Sequence, residues 1–129
     1  MEINIKTIAI VQARTGSKRF PDKILKKINN KSLLEILLRR LGKSKQIDKI
    51  VVATTKKKED KVLEKITKKL NVEIFFGKEK DVLSRFYNIS KKYKPNQIVR
   101  ITGDCPLVDS KIVDKVNSLY KKSKVDYCS

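Results

Sequence analysis

The stretch Val11–Lys23, VQARTGSKRFPDK, gathers Arg14, Lys18, Arg19 and Lys23 around Gly16, Ser17 and Pro21. That is the composition of a polyanion receptor. Gly16 has no Cβ, so backbone N–H groups beside it can approach a phosphate closely. Ser17 adds a hydroxyl donor. The two arginines bring rigid, permanently charged forks of the kind phosphate recognition favours. Pro21 stiffens the turn. The bland alternative is a mobile basic surface loop. The stretch is neither a Walker loop nor a dinucleotide fingerprint, since GxxxxGK and GxGxxG are both absent.

A second segment, RITGDCPLVD from Arg100 to Asp109, sets Asp104 behind Thr102 and Gly103, straight after an apolar run. One carboxylate facing a cationic loop suits a magnesium–phosphate complex. Mg2+ takes one or two carboxylates, several waters and the phosphate oxygens of its substrate. The alternative is an Asx-type turn before Pro106.

The composition limits what other chemistry is available. The chain has 129 residues and no histidine. Ser-His-Asp catalysis, Cys-His catalysis and histidine metal sites are excluded. Cys105 and Cys128 form neither a metal pattern nor a disulfide framework and read as small buried thiols. The net charge of +18 comes from 32 basic and 14 acidic residues. It raises the possibility of a nucleic-acid partner. However, 26 of the basic residues are lysines scattered along the chain, and only six are arginines, with Arg14, Arg19 and Arg100 near strand ends. Nucleic-acid binding is therefore the weakest reading, and solvated lysine-rich faces the stronger. No apolar run reaches the ~18 residues of a membrane span. The N-terminus reads as a strand, not a signal peptide, so a cytoplasmic protein is expected.

Residues that act together must be positioned by the elements around them. Five apolar runs read as strands: 8–12, 50–54, 72–76, 98–102 and a final VDYC at 125–128. Helical patterns lie between them. SLLEILLRRL opens with Ser32 and has Glu35 three residues on, a capping box. A second helix spans about 58–70, with Val62, Leu63, Ile66 and Leu70 inward. A third is capped by Asp81, with Val82, Leu83, Phe86 and Tyr87 inward. A fourth starts near Asp109 or Ser110, with Ile112, Val113, Val116, Leu119 and Tyr120 inward. KILKKINNK reads as an irregular or β-like detour. Repeats, low-complexity tracts and linkers are absent from the sequence. Alternating strands and helices predict one α/β domain over 1–129, with a mainly parallel central sheet covered by helices on both faces. Ligands of such sheets bind beyond the carboxyl ends of the strands. Those ends are the Ala13–Lys23 loop, Thr54 and Thr55, the Gly77 region, and Gly103-Asp104.

The segments VQARTGSKRFPDKIL, IVVATT, FFGKEKDVLSRF and VRITGDCPLVD, taken in this order, resemble the cytidylyltransferase family. The likeness is to the spore-coat polysaccharide type first, then to the acylneuraminate and 3-deoxy-manno-octulosonate enzymes, and it covers nearly the whole chain. It implies a three-layer, Rossmann-like nucleotide-diphospho-sugar transferase fold. It also implies Mg2+-dependent transfer of a cytidylyl group from CTP to a sugar or sugar-acid hydroxyl for surface polysaccharide, with pyrophosphate leaving. Carried over by position, Arg14, Ser17, Arg19 and Lys23 contact the triphosphate, beside Ala13, Gly16 and Lys18. Asp104 holds the metal, and Arg14, Lys23 and Asp104 form the catalytic set. Thr54, Thr55, Thr102, Gly103 and the Gly77–Arg85 segment, Arg85 included, lie near base and ribose. Family members run longer, and their later segment supplies the acceptor site, a further metal carboxylate and much of the dimer contact. The chain thus corresponds to the N-terminal part, either a naturally short form or one whose remaining half lies elsewhere. That leaves room for a homodimer or a partner chain to complete the site, and for a non-catalytic nucleotide-binding module.

Overall fold

The computed structural model describes residues 4–129. Its centre is a four-stranded parallel sheet made of β1 (Thr7–Gln12), β4 (Lys49–Thr55), β5 (Glu73–Gly77) and β6 (Gln97–Thr102), in the order β5-β4-β1-β6. The register aligns Val11 with Val52 on one side and with Ile101 on the other. Two short strands, β2 (Lys27–Ile28) and β3 (Lys31–Ser32), form an antiparallel hairpin. Asn29 and Asn30 turn it with φ of 50° and 65°, a left-handed pair that asparagine tolerates. This hairpin is the expected β-like detour.

Alternation along the strands splits the core in two. Ala9, Val11 and Val52 face one way and pack with Leu34, Leu37, Leu38 and Leu41 of α1 (Leu33–Leu41), Leu63 of α2 (Leu63–Lys69) and Val113 of α4 (Ser110–Lys122). Ile8, Ile10, Val51 and Ala53 face the other way and pack with Ile89 of α3 (Val82–Tyr93). Both faces of the sheet are covered, as the apolar strands require. A short 3-10 turn, Lys58–Val62, leads into α2.

The helix starts follow the sequence. Ser32 accepts a hydrogen bond from the Glu35 amide, Asp81 from Ser84, and Asp109 from Lys111 and Ile112. The capping box is only half made, because the Glu35 carboxylate turns to Arg39 and Lys69 instead. Burial pushes that carboxyl up, but the two cations outweigh it and hold it below its ordinary value.

Several expectations are corrected. Residues 125–128 form no strand, and Tyr127 is 79% exposed. In α3 the stripe facing the sheet contains Arg85 and Ile89, which leaves Leu83 and Tyr87 exposed. In α4 it contains Val113 and Asn117, which leaves Ile112 and Leu119 exposed. Val62, in the turn before α2, is also exposed. Counting apolar residues at helical spacing located each helix. It misjudged the rotation because a polar side chain occupies the middle of each stripe. Cys105 is exposed and Cys128 only partly buried, so neither is the buried thiol expected.

Strand order has a consequence for function. From β1 the chain moves outward to β4 and β5, then returns across β1 to lay down β6 on the other side. The direction of winding therefore reverses between β1 and β6. In doubly wound sheets the crevice beyond the carboxyl ends at such a switch point is where ligands bind. Here those ends lead into the Ala13–Lys23 loop and Gly103-Asp104.

Candidate functional site

The loop after β1 is a folded structure with Thr15, which is 2% exposed, at its hub. The Thr15 carbonyl accepts the amides of Ser17 at 2.9 Å and Asp22 at 3.0 Å. Its own amide and hydroxyl both donate to Oδ1 of Asp60, at 2.7 and 2.8 Å. The other carboxylate oxygen of Asp60 accepts the hydroxyl of Thr55 at the end of β4. Asp60 is 2% exposed. It is supplied by the 3-10 turn and bolts the basic loop onto the sheet. Buried carboxylates persist only where hydrogen bonds of this kind compensate them.

The loop after β6 is fixed by close approach. The Gly103 amide donates to the Gln12 carbonyl at 2.7 Å. A Cβ on Gly103 would lie 2.8 Å from that carbonyl and 2.9 Å from the Ala13 Cβ. Only glycine lets the two rim loops touch. Asp104 then stands exposed opposite Lys23, with Oδ2 3.8 Å from Nζ. The expected pairing of the acidic group with the basic loop is therefore present.

Arg14 is held by Glu79, 3.6 Å away, and Lys57 bonds the same Glu79 oxygen at 2.8 Å. The Lys57 hydrogen bond, against some burial and aided by the Arg14 charge, holds the Glu79 carboxyl below its ordinary value and raises Lys57. A small cleft of about 30 Å³ lies among Arg14, Gly16, Thr55, Lys57, Asp60 and Glu79.

The structure brings together Ala13, Arg14, Gly16, Ser17, Lys18, Arg19, Lys23, Gly103 and Asp104 on one rim. Lys18 and Arg19 are exposed there, and the Ser17 hydroxyl accepts the Phe20 amide at 3.4 Å. Thr102 is exposed beside them, its hydroxyl 3.2 Å from Cys105 Sγ. Thr54 and Thr55 are fully buried within the sheet end, and Arg85 lies buried beneath Gly77.

Thr15, Lys57, Asp60 and Glu79 were not singled out from sequence. Asp60 sits in the run KKKED, which reads as a solvated charged face. Only its fold-dependent partner 45 residues earlier reveals its role.

Among the described residues, no three His, Cys, Asp or Glu side chains gather to cage a metal. Asp104 offers a single exposed hard-oxygen ligand beside the basic loop. That donor set fits Mg2+, whose remaining ligands come from substrate and water. It does not fit zinc, which needs a nitrogen or sulfur cage. Among the described residues no helix is long and apolar enough to cross a membrane.

A family model described as cytidylyltransferase matches residues 8–129. An uncharacterized protein of Methanocaldococcus jannaschii is 52% identical over 97% of the chain and 51% of its own length. The spore coat polysaccharide biosynthesis protein SpsF of Bacillus subtilis is 38% identical over 92% of the chain and 51% of its own length. The solved structure of a cytidylyltransferase from Leptospira borgpetersenii is 39% identical and superposes with a TM-score of 0.88, over 93% of this chain and 50% of that one. The chain thus spans about half the length of the relatives it matches.

Proposed function

Because the chain belongs to the cytidylyltransferase family over residues 8–129, we propose that it transfers a cytidylyl group from CTP to a sugar or sugar-acid hydroxyl, with release of pyrophosphate. The observation that carries this reading is the meeting of the basic loop with Asp104 at the β1/β6 switch point, where Gly103 locks the two loops together. The Bacillus subtilis relative, a spore coat polysaccharide biosynthesis protein, supports surface polysaccharide as the destination. CTP is a cytoplasmic nucleotide, and the reading takes the chain to work there.

The proposed division of labour follows charge. The acceptor hydroxyl attacks the α-phosphorus, its O–P bond forms, and the bond to the pyrophosphate oxygen breaks. Negative charge moves onto the leaving pyrophosphate. Arg14, Lys18, Arg19 and Lys23, with backbone groups around Gly16 and the Ser17 hydroxyl, meet that charge. Ala13, Thr102 and Gly103 lie on the nucleoside side, with the buried Thr54, Thr55 and Arg85 behind them. Asp104 would hold Mg2+, which when bound offsets phosphate charge and polarises the reacting phosphorus. The protein contributes positioning and fixed cations, so the absence of histidine is no obstacle.

Calorimetric titration of CTP, with and without Mg2+, tests the reading. Binding is expected only weakly without the metal. Arg14→Ala and Asp104→Asn should each lower Mg-CTP affinity roughly 10-fold or more, the loss of one charge-assisted contact. Absence of binding to any nucleotide refutes it. A second reading, nucleotide binding without turnover by this chain alone, rests on its spanning about half the length of its relatives. Pyrophosphate release from CTP and candidate sugar acids, by the chain alone and with a second copy or partner chain, separates the two.

A further inference from the structure

Two arginines end α1, and they face different tasks. Arg39 turns back along the helix to Glu35, 3.0 Å away. Arg40 reaches out of it. Its Nε donates to the Val108 carbonyl at 2.8 Å and its Nη2 to the Leu107 carbonyl at 3.3 Å, across 68 and 67 residues of chain. Among the described residues Arg40 makes no ion pair, so its fork serves these two carbonyls. A cation in the last turn of a helix ordinarily favours the carbonyl ends of that helix. This one is committed to the loop between β6 and α4.

That loop carries Asp104. Its start is fastened by the Gly103 amide on the Gln12 carbonyl at 2.7 Å, and its end by Asp109, which accepts the amides of Lys111 and Ile112. In between, its own backbone bonds are long: the Cys105 amide lies 3.3 Å from the Thr102 carbonyl, and the Val108 amide 3.2 Å from the Cys105 carbonyl. Bonds of that length sit at the weak end of the usual range. Pro106 has no amide to give. Arg40 supplies the short, charge-assisted tether three and four residues beyond Asp104. It does so from a rigid base, since Leu34, Leu37 and Leu41 of the same helix are fully buried.

The metal makes such a tether necessary. Mg2+ requires near-ideal octahedral geometry at about 2.0–2.1 Å. Among the described residues no three His, Cys, Asp or Glu side chains gather, so Asp104 faces the ion without a cluster of companions to correct its aim. We propose that Arg40 is a positioning residue for the metal: by gripping the Leu107 and Val108 carbonyls it holds the Asp104 loop in the shape that presents the carboxylate opposite Lys23. The proposal rests on the nucleotide reading above and names a residue on a different element, outside the loops that meet the substrate.

The test uses the full chain and calorimetric titration of CTP at a series of Mg2+ concentrations. In Arg40→Met the Mg2+ concentration for half-maximal CTP binding should rise roughly 10-fold, the cost of losing an outer partner of a metal ligand. CTP binding without Mg2+ should match wild type. Arg40→Lys, which can reach one carbonyl but not two, should fall between. Amide exchange at Cys105 and Val108 should quicken in Arg40→Met beyond any change in global stability. Added to Asp104→Asn, Arg40→Met should bring no further loss in Mg2+ dependence, because the two act through one contact. Unchanged Mg2+ dependence overturns the proposal. So does an equal loss with and without Mg2+, which assigns Arg40 to general stability, and so does an additive loss in the double variant. If Arg40→Met does not fold, Arg40→Lys carries the test by the same criteria. None of these outcomes touches the nucleotide reading. CTP binding by the wild type that is indifferent to Mg2+ overturns the proposal through its metal, and failure of the wild type to bind any nucleotide overturns the underlying reading with it.

Discussion

Replacing Asp60 tests whether the basic loop is a fixed receptor or a mobile fringe. The carboxylate takes three hydrogen bonds, from the Thr15 amide, the Thr15 hydroxyl and the Thr55 hydroxyl. In Asp60→Ala the two hydroxyls can rotate toward other acceptors, but the buried Thr15 amide cannot. One orphaned buried donor costs about 1–3 kcal/mol, and bonds to a charged acceptor are worth about as much again. A net loss of about 3 kcal/mol follows after relief of carboxylate burial is counted. At this length 1 kcal/mol is worth about 4 °C, so the melting temperature should fall by roughly 12 °C. Asp60→Asn keeps Oδ1 for Thr15, and its amide can donate to a reversed Thr55 hydroxyl. Its loss should be about 1 kcal/mol, or roughly 4 °C. Calorimetry gives the stabilities. Hydrogen exchange at Ser17 and Asp22, whose amides bond the Thr15 carbonyl, reports on the loop itself. In Asp60→Ala those amides should exchange faster than the global opening allows. If they stay as protected as in wild type, or if Ala and Asn behave alike, the loop is not held from Asp60 and the account of its rigidity is wrong.

Two further outcomes follow from the geometry. Gly103→Ala drives a methyl group to 2.8 Å from the Gln12 carbonyl and should cost about 1–3 kcal/mol while parting the two rim loops, so Mg-CTP affinity should fall with stability. Equal affinity in a destabilised Gly103→Ala protein argues against the rim contact as part of the site. At the opposite end of the sheet, Glu73 bonds Lys92 at 2.8 Å and Lys49 at 2.9 Å, and both ammonium groups lie over the Tyr93 ring. Burial raises the Glu73 carboxyl, but the bonded lysines outweigh it and bring it from 4.5 to about 2. A carboxyl depressed by folding contributes stability that is present above its unfolded value and is lost as pH falls through the folded one. The side chain is 34% exposed, so solvent screening leaves about 1 kcal/mol of the unscreened ~3. Glu73→Gln should therefore be less stable than wild type by that amount at pH 7, with the gap closing as pH falls from 4.5 toward 2. A gap that does not change with pH refutes the ion-pair origin.

Local signals carried much of this structure. IAIV and IVVAT are apolar on both alternating faces, and a strand covered on both sides has no other pattern. Ser32, Asp81 and Asp109 announce their helices because a side-chain oxygen one position before the first turn satisfies amides nearby in sequence. The basic loop and Asp104 were legible by composition and spacing. The strand order was not. The reversal that sets β1 beside β6 is a property of the assembled sheet, and it explains why residues 12 and 103 come into contact.

The buried polar side chains show where sequence reasoning stops. Away from the rim, each has an internal purpose. Ser32 caps α1, Glu35 is paired by Arg39 and Lys69, Thr67 bonds the Glu64 carbonyl, Thr7 accepts the Gln97 amide, and Asn117 bonds Gln46. Thr15, Thr54, Thr55, Asp60 and Arg85 instead collect around the ends of β1, β4 and β5, where the chain exchanges apolar burial for polar contacts. Thr15, Thr55 and Asp60 satisfy one another and make the loop rigid. The Thr54 hydroxyl and the Arg85 Nε and Nη1 have no partner among the described residues. Residues that break the inside–outside rule are expected at functional sites, because a fold gives up local consistency where binding requires it. Rigidity supplied by Asp60 has a direct consequence for binding: a receptor that is already held in shape keeps its ordering cost out of the binding step.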